Sequence, residues 1–446
     1  MSISAMRSSE QPYPPARYAW LVIAILWMVT LFSQLDRQLP ALLVKPLKAQ
    51  FAISDTQFSL LHGYAFAIAY TLMGLPFGRM VDRINRRNLI LFGVVLWSAM
   101  TLLSGFARSY EQLLLTRMGI GVGEAVLAPA AYSIIADYVA PKRRGRALSI
   151  YYVSLAIGSG ASLFMGGLIL RLIPAQGLLI QGHTLLPWQA TFILAGLPGI
   201  PLVFLLLAVR EPARRETGAQ PNSTLKAFFT HLFLHRCTFA RLMTYPALLA
   251  VIGYGTLAWA PAFFERQHGI PVSESGPILG LVIAFAGLCG TLLSGQLSDR
   301  WLMQGRPAAR FRVTLVAWAF IIPAALSWPL VPDPNLSFLL LGFAVFGFSI
   351  GQAAAPASIQ DIVPNSMRGQ AVAVYLLLGG LLGIGLGPTS VALVNDYLYA
   401  GEPHALPYAL VTVTLPAAVL GLWMSWSGLA CYARTCASLK TLQGQP

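Results

Sequence analysis

Apolar residues in this chain occur in long continuous stretches separated by short polar segments. A stretch of about 20 such residues is long enough to cross a hydrocarbon core of roughly 30 Å as an α-helix. Alternating polar and apolar positions, which would indicate a transmembrane β-barrel, are not the pattern here. Twelve stretches of this kind lie near residues 18–43, 56–82, 88–107, 111–139, 145–172, 188–209, 241–266, 273–299, 312–331, 335–360, 368–398 and 404–433.

The composition agrees with a membrane protein. Of 446 residues, 56% are hydrophobic and only 10% are charged, which is not typical of a soluble domain. The pattern therefore predicts an all-α membrane protein with twelve transmembrane helices in two bundles of six. The expected segments are a tail (1–17), a first bundle (18–209), a linker (210–240), a second bundle (241–433) and a second tail (434–446).

The net charge of +14 reflects topology and does not indicate a nucleic-acid partner, because the basic residues crowd into every second loop. The positive-inside rule then places these loops and both termini in the cytoplasm. The loops contain Arg83, Arg86 and Arg87; Lys142, Arg143, Arg144 and Arg146; Arg210, Arg214 and Arg215; Arg300, Arg306, Arg310 and Arg312; and Arg368.

Two groups of residues recur between the halves of the chain. A basic box follows the second stretch of each half, with Gly78, Asp82, Arg83, Arg86 and Arg87 in the first copy and Gly295, Asp299 and Arg300 in the second. Further on, Asp137 and Arg144 correspond to Asp361 and Arg368, each displaced by 224 residues. The recurrence predicts two parallel repeats, with these last four residues in loops at the interface between the halves.

Four charged residues fall inside predicted helices: Asp36, Arg37, Arg117 and Glu124. A charge in the bilayer centre costs roughly 3 kcal/mol or more unless it faces a partner or water. At 1.5 Å per residue, Asp36 and Arg117 lie at similar depths, about 10 Å below the outer ends of their helices, which favours a pair between them. Glu124 follows Arg117 by two helical turns and shares its face. We expect that face to line a polar cavity.

The same displacement of 224 residues takes Arg117 to Leu341 and Glu124 to Phe348, so the second half lacks these charges. The confinement suggests a specialised proton and substrate site; a buried ion pair that only fixes helix packing is the alternative. Burial raises the pKa of a carboxyl group and a nearby arginine lowers it, so conformational change can drive proton uptake and release. We expect Asp36 and Glu124 to exchange protons while Arg117 and Arg37 pair with them or with an anionic substrate. His62 could join a relay.

Small residues and aromatics raise further alternatives. The fifth and eleventh stretches carry small residues at four-residue spacing, which indicates either static packing or sliding between halves. Aromatics could line an apolar wall for a lipid chain or simply pack. The small-residue positions are Ser154, Gly158, Ser162 and Gly166, and Gly379, Gly383 and Gly387; the aromatics are Phe346, Phe348, Trp259, Phe263 and Phe264.

The sequence contains no nucleotide loop, catalytic triad or metal cluster, so we expect neither an enzyme nor a cofactor. His231, His235 and Cys237 are too few ligands for a convincing zinc site. Cys237, Cys289, Cys431 and Cys436 lie in membrane or cytoplasmic segments, where free thiols are expected. A monomer suffices for alternating access between two halves, and a monomer is expected.

The repeated halves and the Gly-x-x-x-Asp-Arg-x-x-Arg-Arg box resemble the major facilitator superfamily. In that superfamily the box contacts the other half at the cytoplasmic side, so the resemblance implies that Gly78, Asp82, Arg83 and Arg87 form a latch of the outward-facing state. Asn85 stands where a glycine is frequent.

Several motifs are similar to the spinster family within this superfamily. They are Asp36-Arg37, Asp82-Arg83-Ile84-Asn85-Arg86-Arg87, Arg117 with Gly121-Val122-Gly123-Glu124-Ala125, Ile135-Ala136-Asp137, and Arg144 to Tyr152. The resemblance implies a proton-coupled carrier of lysophospholipids or sphingoid lipids, and the short tails suit a bacterial inner-membrane protein. Symporters of small organic anions, such as carboxylates or sugar acids, share some of these motifs, and a drug/proton antiporter is a further alternative.

Overall fold

Twelve helices long and apolar enough to cross a membrane are present in the part of the chain that the structure describes. The structure is a computed structural model that describes residues 13–174, 176–180, 183–214, 225–306, 308–364 and 367–442. The predicted number of transmembrane helices is confirmed. In chain order, α1 to α12 span Ala16–Leu42, Asp55–Val81, Arg86–Ser104, Tyr110–Tyr138, Arg143–Leu172, Pro187–Leu207, Arg236–His268, Val272–Met303, Ala309–Ser327, Pro334–Ile362, Arg368–Leu398 and Ala405–Leu439.

Three shorter elements lie between the membrane helices. A short helix, Val44–Phe51, follows α1 and ends at Ala52, whose positive φ of 51° stops it. An antiparallel hairpin of β1 (Leu178–Ile180) and β2 (His183–Leu185) connects α5 to α6. A helix over Leu225–Leu234 lies in the linker, and its sequence is rich in apolar residues. Residues 215–224 of that linker lie outside the described part.

Matching ion pairs occupy the same place in the two halves. In the first half, Arg86 of α3 pairs with Asp137 of α4; in the second, Arg310 of α9 pairs with Asp361 of α10. Both partners are displaced by 224 residues, so this contact belongs to the repeat. The sequence comparison had linked the aspartates but missed their arginine partners.

The second pair of repeated residues also makes corresponding contacts. Arg144 donates to the carbonyl oxygen of Ala136 at 2.9 Å, and Arg368 donates to that of Gln360 at 3.2 Å. These contacts and the two Arg–Asp pairs lie within one half each. In this conformation they connect residues of the same half, and the role at the interface between halves stays a prediction.

The halves meet at the end of the bundle opposite the basic loops. Gly160 of α5 and Gly280 of α8 approach so closely that a Cβ on either would overlap the backbone carbonyl oxygen of the other. Gly63 of α2 packs in the same way against the carbonyl oxygen of Ile384 in α11. Only residues without a side chain permit this approach, so the contact closes the molecule at that end.

The end that carries the basic loops, called here the basic end, is open between the halves. Gly78, Gly145, Gly295 and Gly369 lie there, and a Cβ added to any of them would meet no other part of the described structure within 4 Å. Asp82 is exposed. The basic box therefore does not form a latch in this conformation. The resemblance assigns the latch to a different conformation, the outward-facing one.

The small-residue faces noted in the sequence serve packing within each half. On α5, Gly158 packs against the side chain of Gln34, and Ser162 donates to the carbonyl oxygen of Leu35 at 2.9 Å, both in α1. On α11, a Cβ at Gly383 would lie 2.6 Å from the Cβ of Ala250 in α7. Contact between the halves uses other positions on these helices.

The expectation of four free thiols is wrong for two of them. Cys237, near the start of α7, and Cys431, near the end of α12, form a disulfide with their Cα atoms 6.1 Å apart. Cys289 and Cys436 form no disulfide within the described part of the chain. The helical pattern alone could not show that the two terminal helices of the second half run side by side at this end.

Candidate functional site

The four charged residues of the membrane interior converge between α1 and α4. Asp36 is 3% exposed and Arg117 is fully buried. The α-helical part of α1 ends at Gln38 and continues as a 3-10 turn over Leu39–Leu42 that includes Pro40. This change of helix type leaves the last carbonyl groups of the α-helix without their usual intrahelical partners.

Arg117 binds those carbonyl groups. Its guanidinium donates to the backbone oxygen of Asp36 at 2.9 Å and to that of Arg37 at 3.4 Å. The predicted pair between the side chains of Arg117 and Asp36 does not form, and Oδ1 of Asp36 is buried without a hydrogen-bond partner among the described residues. The rise per residue correctly predicted that Asp36 and Arg117 lie at the same level. It could not predict the directions of their side chains.

The ion pair at this site joins Arg37 to Glu124. Nη2 of Arg37 lies 2.6 Å from Oε2 of Glu124, and the Glu124 side chain is 1% exposed. Glu124 is the last residue of an α-helical segment that breaks at Ala125–Val126 before α4 resumes. The other carboxylate oxygen, Oε1, is buried and makes no hydrogen bond within the described structure. The site therefore holds two carboxyl groups, each with an unpaired oxygen.

Aromatic rings of α2 cover the Arg37 guanidinium. Its central carbon lies 4.6 Å from the ring centroid of Phe66 and 5.1 Å from that of Tyr70. Such contacts stabilise a cation by about 0.5–2 kcal/mol, most where water is excluded. The sequence analysis missed both rings, although their four-residue spacing places them on one face of α2.

A small cavity between the two halves reaches this site. It is lined by Arg37, Gln38 and His62 from the first half and by Tyr254, Ile384 and Pro388 from the second. His62, singled out as a relay candidate, is 7% exposed and stacks on Phe58 with ring centroids 6.0 Å apart. Gln38 and Tyr254 carry no unusual charge or spacing, so only the fold identifies them as part of the cavity.

The aromatics considered for a lipid-chain wall mostly pack inside the second half. Trp259, Phe263 and Phe264 are each no more than 1% exposed. Trp259 donates to the carbonyl oxygen of Pro388 at 2.9 Å, and Phe264 stacks on Phe338. For these three residues the packing alternative is correct.

A second polar cluster joins the halves at the end opposite the basic loops. Arg266 of α7 reaches both carboxylate oxygens of Asp55 at 2.6 and 2.8 Å, and Asn395 of α11 donates to the same group at 3.0 Å. Lys48 also pairs with Asp55. The sequence analysis missed this cluster, because its members are isolated charges near loop ends that only the fold brings together.

Asp396 adds a second link between the halves beside this cluster. It accepts hydrogen bonds from the backbone N–H and the hydroxyl of Thr56 at 2.7 and 2.8 Å. With Asp55, it places charge-assisted contacts between the start of α2 and the segment of α11 that faces it. Together these residues form what we call the outer cluster: Lys48, Asp55, Thr56, Arg266, Asn395 and Asp396.

The family model of the Major Facilitator Superfamily matches residues 26–388. The chain belongs to this superfamily. A major facilitator "MFS-type efflux pump" of Mycolicibacterium smegmatis is 30% identical over 94% of each chain. Human "Protein spinster homolog 1" is 27% identical over 91% of this chain and 80% of its own, and a "Probable L-galactonate transporter" of Escherichia coli is 24% identical over 77% and 78%.

Solved structures agree with this assignment to the major facilitator fold. Two crystal structures of a bacterial homologue of the human lysosomal transporter spinster, one unoccupied and one occupied, are both inward-facing. They give TM-scores of 0.74 and 0.75 at 27% and 28% identity, over 95% of this chain and 98% and 97% of theirs. The chain is thus a multi-pass, spinster-like member of a transporter superfamily, as its motifs predicted.

Proposed function

We propose that this protein is a proton-coupled secondary transporter that works by alternating access and moves a lysophospholipid or sphingolipid-like amphiphile. The observation that carries the proposal is the buried pair of Arg37 and Glu124 beside a cavity between the halves. A transporter that couples two fluxes needs one site where proton and substrate affect each other. This pair supplies a carboxylate and a cation in direct contact.

The coupling follows from competition for Arg37. While Glu124 is ionised, its charge offsets that of Arg37, and an anionic group gains little by entering the cavity. When Glu124 takes up a proton, Arg37 becomes a buried cation without a charged partner. Because an unpaired buried charge is costly, Arg37 then favours binding of an anionic headgroup. Asp36, with a buried unpaired oxygen, provides a second carboxyl group at the same site.

The two ends of the bundle fit alternating access. With the basic loops and both termini in the cytoplasm, as the positive-inside rule indicates, the open basic end faces the cytoplasm and the outer cluster closes the far side. Such a protein would sit in a bacterial inner membrane and act as a monomer, since each chain contains both halves. The inward-facing relatives support this conformation.

The chemistry of the residues that line the cavity is compatible with the headgroup of an amphiphile. Arg37, Gln38, His62 and Tyr254 offer charge and hydrogen bonds to a headgroup, while Ile384 and Pro388 are apolar. The resemblance to spinster proteins points in the same direction.

A small organic anion is a second candidate, and Arg37 is the observation that favours it. A cavity with one cation and a few hydrogen-bonding groups can hold a carboxylate without any need for an acyl chain. The similarity to a probable L-galactonate transporter agrees with this alternative, whereas the efflux-pump relative is compatible with export of either kind of substrate.

Reconstituted liposomes with an imposed pH gradient test the proposal. A fluorescent lysophospholipid should move in a gradient-dependent way with the wild-type protein, and Glu124→Gln should abolish that dependence because glutamine cannot exchange a proton. Glu402→Gln, at an exposed glutamate in the loop before α12, is the matched control and should behave like wild type.

Two outcomes count against parts of the proposal. Unchanged gradient dependence in Glu124→Gln would remove this residue from the coupling. No lipid movement in vesicles shown to contain folded protein, together with uptake of a sugar acid, would replace the lipid by a small anion.

A further inference from the structure

His62 lines the cavity and carries a polar atom that the described part of the protein leaves unsatisfied. The side chain is 7% exposed, and Nδ1 is buried without a hydrogen-bond partner among the described residues. Buried polar atoms are nearly always hydrogen-bonded, so each exception needs an explanation. Its position on the cavity wall suggests that the missing partner is the transported molecule.

The fold holds this ring in a fixed direction. His62 lies in a π-helical segment, Leu60–Tyr64, where the extra residue per turn shifts the side chains relative to a regular α-helix. One face of the ring stacks on Phe58 at an interplanar angle of 11°, and Phe58 in turn packs edge-on against Trp259 of the other half. This stacking covers one face of the ring and leaves its edge, which carries the nitrogens, available to other partners.

Arg37 supplies a second unsatisfied donor to the same cavity. Its Nη2 is occupied by Glu124, but its Nε is buried and has no partner within the described structure. Arg37 and His62 come from different helices and line one cavity, which Tyr254 closes from the second half. Two donors on converging walls suit a group with several acceptor oxygens better than a single hydroxyl group.

We infer that His62 and Arg37 together bind one oxyanion of the substrate headgroup, of phosphate or carboxylate type, with His62 acting as a hydrogen-bond donor. This rests on the proposed transport function and names the part of the substrate that the site recognises. It gives His62 a role in binding, distinct from the proton relay considered from the sequence. Consistent with that distinction, the described hydrogen bonds do not connect His62 to Asp36 or Glu124.

Binding of single-chain amphiphiles to the purified full-length protein tests the inference without transport. Dodecyl phosphate, laurate and dodecyltrimethylammonium share a chain and differ in headgroup, so titration calorimetry in a neutral detergent separates chain from headgroup recognition. Loss of one charge-assisted hydrogen bond should weaken dodecyl phosphate or laurate binding roughly 10- to 100-fold in His62→Ala. Binding of the cationic amphiphile should not depend on His62.

Two further variants guard against a folding defect. His62→Gln keeps a donor at the cavity and should stay within about threefold of wild type. His404→Ala removes an exposed histidine next to α12 and should bind like wild type. Both should elute as monodisperse protein, as His62→Ala should, before any difference in affinity is interpreted.

The outcomes separate the inference from the proposed function. If wild type and His62→Ala bind both anionic amphiphiles equally, the inference is wrong while an amphiphile carrier remains. If wild type binds neither anionic amphiphile, the headgroup assignment and the lipid substrate fail together. If His62→Ala binds both anionic amphiphiles like wild type but loses gradient-driven transport in liposomes, His62 is a proton relay and the inference is overturned.

Discussion

The two halves of this transporter share a framework but not the charges of the membrane interior. Arg86 with Asp137, and Arg310 with Asp361, repeat at one displacement and in one geometry. At that displacement, Glu124 becomes Phe348. The Arg–Asp pair at the basic end is present in both halves, whereas the buried charges of the membrane interior are present only in the first.

The remaining members of the site follow the same rule. Asp36, Arg37 and Arg117 correspond to Ala260, Pro261 and Leu341. A bilayer penalises each charge that lacks a partner, so a second set without a function would only destabilise the protein. The second half contributes differently: Tyr254 closes the cavity, and Arg266 holds the outer cluster. The comparison of the halves thus separates residues that stabilise each six-helix bundle from residues of the candidate site and the outer cluster.

The largest expected difference between the halves concerns the repeated ion pairs. Arg86 is 1% exposed and binds Asp137, Glu211, Ser133 and the carbonyl oxygen of Pro212, whereas the side chains of Arg310 and Asp361 are 27% and 30% exposed. Removing one partner from a buried pair costs about 3–5 kcal/mol. A solvent-exposed pair is worth about 0–1 kcal/mol.

Arg86→Ala should therefore lower the thermal unfolding midpoint in detergent much more than Arg310→Ala does. Glu211→Gln, which removes the charge of one partner of Arg86 but keeps a hydrogen-bond acceptor, should fall between them. Equal shifts for the two arginine variants would mean that the repeated pairs are energetically equivalent and that burial does not distinguish the halves.

The sequence predicted the framework well because membrane insertion depends on local properties. Twelve apolar stretches and the 224-residue repeat were sufficient for the helices and the two bundles. Asp36 and Arg117 also lie at the same level, as helical rise predicts, because Arg117 reaches the carbonyl oxygen of Asp36. Side-chain direction was not predicted, because the 3-10 end of α1 turns its carbonyl groups towards Arg117.

Residues that meet only through the fold were missed. Asp55 and Arg266 are 211 positions apart, and neither belongs to a motif. Tyr254 is one of many aromatic residues in an apolar helix, and its place on the cavity wall depends on how the two halves are docked. Cys237 and Cys431 were assigned as free thiols for the same reason.

A smaller effect is expected from the outer cluster, which differs from the open basic end. The bidentate contact of Arg266 with Asp55 joins the halves, and hydrogen bonds to charged groups contribute about 1.5–3 kcal/mol. Asp55→Asn and Arg266→Gln should therefore move the population away from the closed outer end by roughly 10- to 100-fold. A cysteine at Ile384, on the cavity wall, should then react faster with an impermeant thiol reagent applied from that side.

Non-additivity gives the decisive comparison. Asp55→Asn combined with Arg266→Gln should perturb access little more than Asp55→Asn alone, because Arg266 reaches the first half through its contact with Asp55. Glu265→Gln is the control, since its partner Lys45 is 75% exposed and 3.3 Å away, and should leave access unchanged. Additive effects of the two changes would show that Asp55 and Arg266 do not form a single latch.

The smallest effect concerns the basic boxes, where the two halves should behave alike. Gly78 and Gly295 lie inside helices and face open space in this conformation, so alanine meets no neighbour there. Replacing glycine by alanine within a helix stabilises it by about 0.5–1 kcal/mol. Gly78→Ala and Gly295→Ala should each raise the unfolding midpoint slightly.

Transport by these two variants distinguishes stability from gating. If the boxes close against the opposite half in the other conformation, an added methyl group should slow transport even though the protein is more stable. Gly369→Ala, also at the open basic end but outside both boxes, controls for the gain in stability alone. Transport at the wild-type rate in all three variants would mean that the glycines of the boxes stay clear of the other half throughout the cycle, and the latch would then depend on Asp82 and the arginines that follow it.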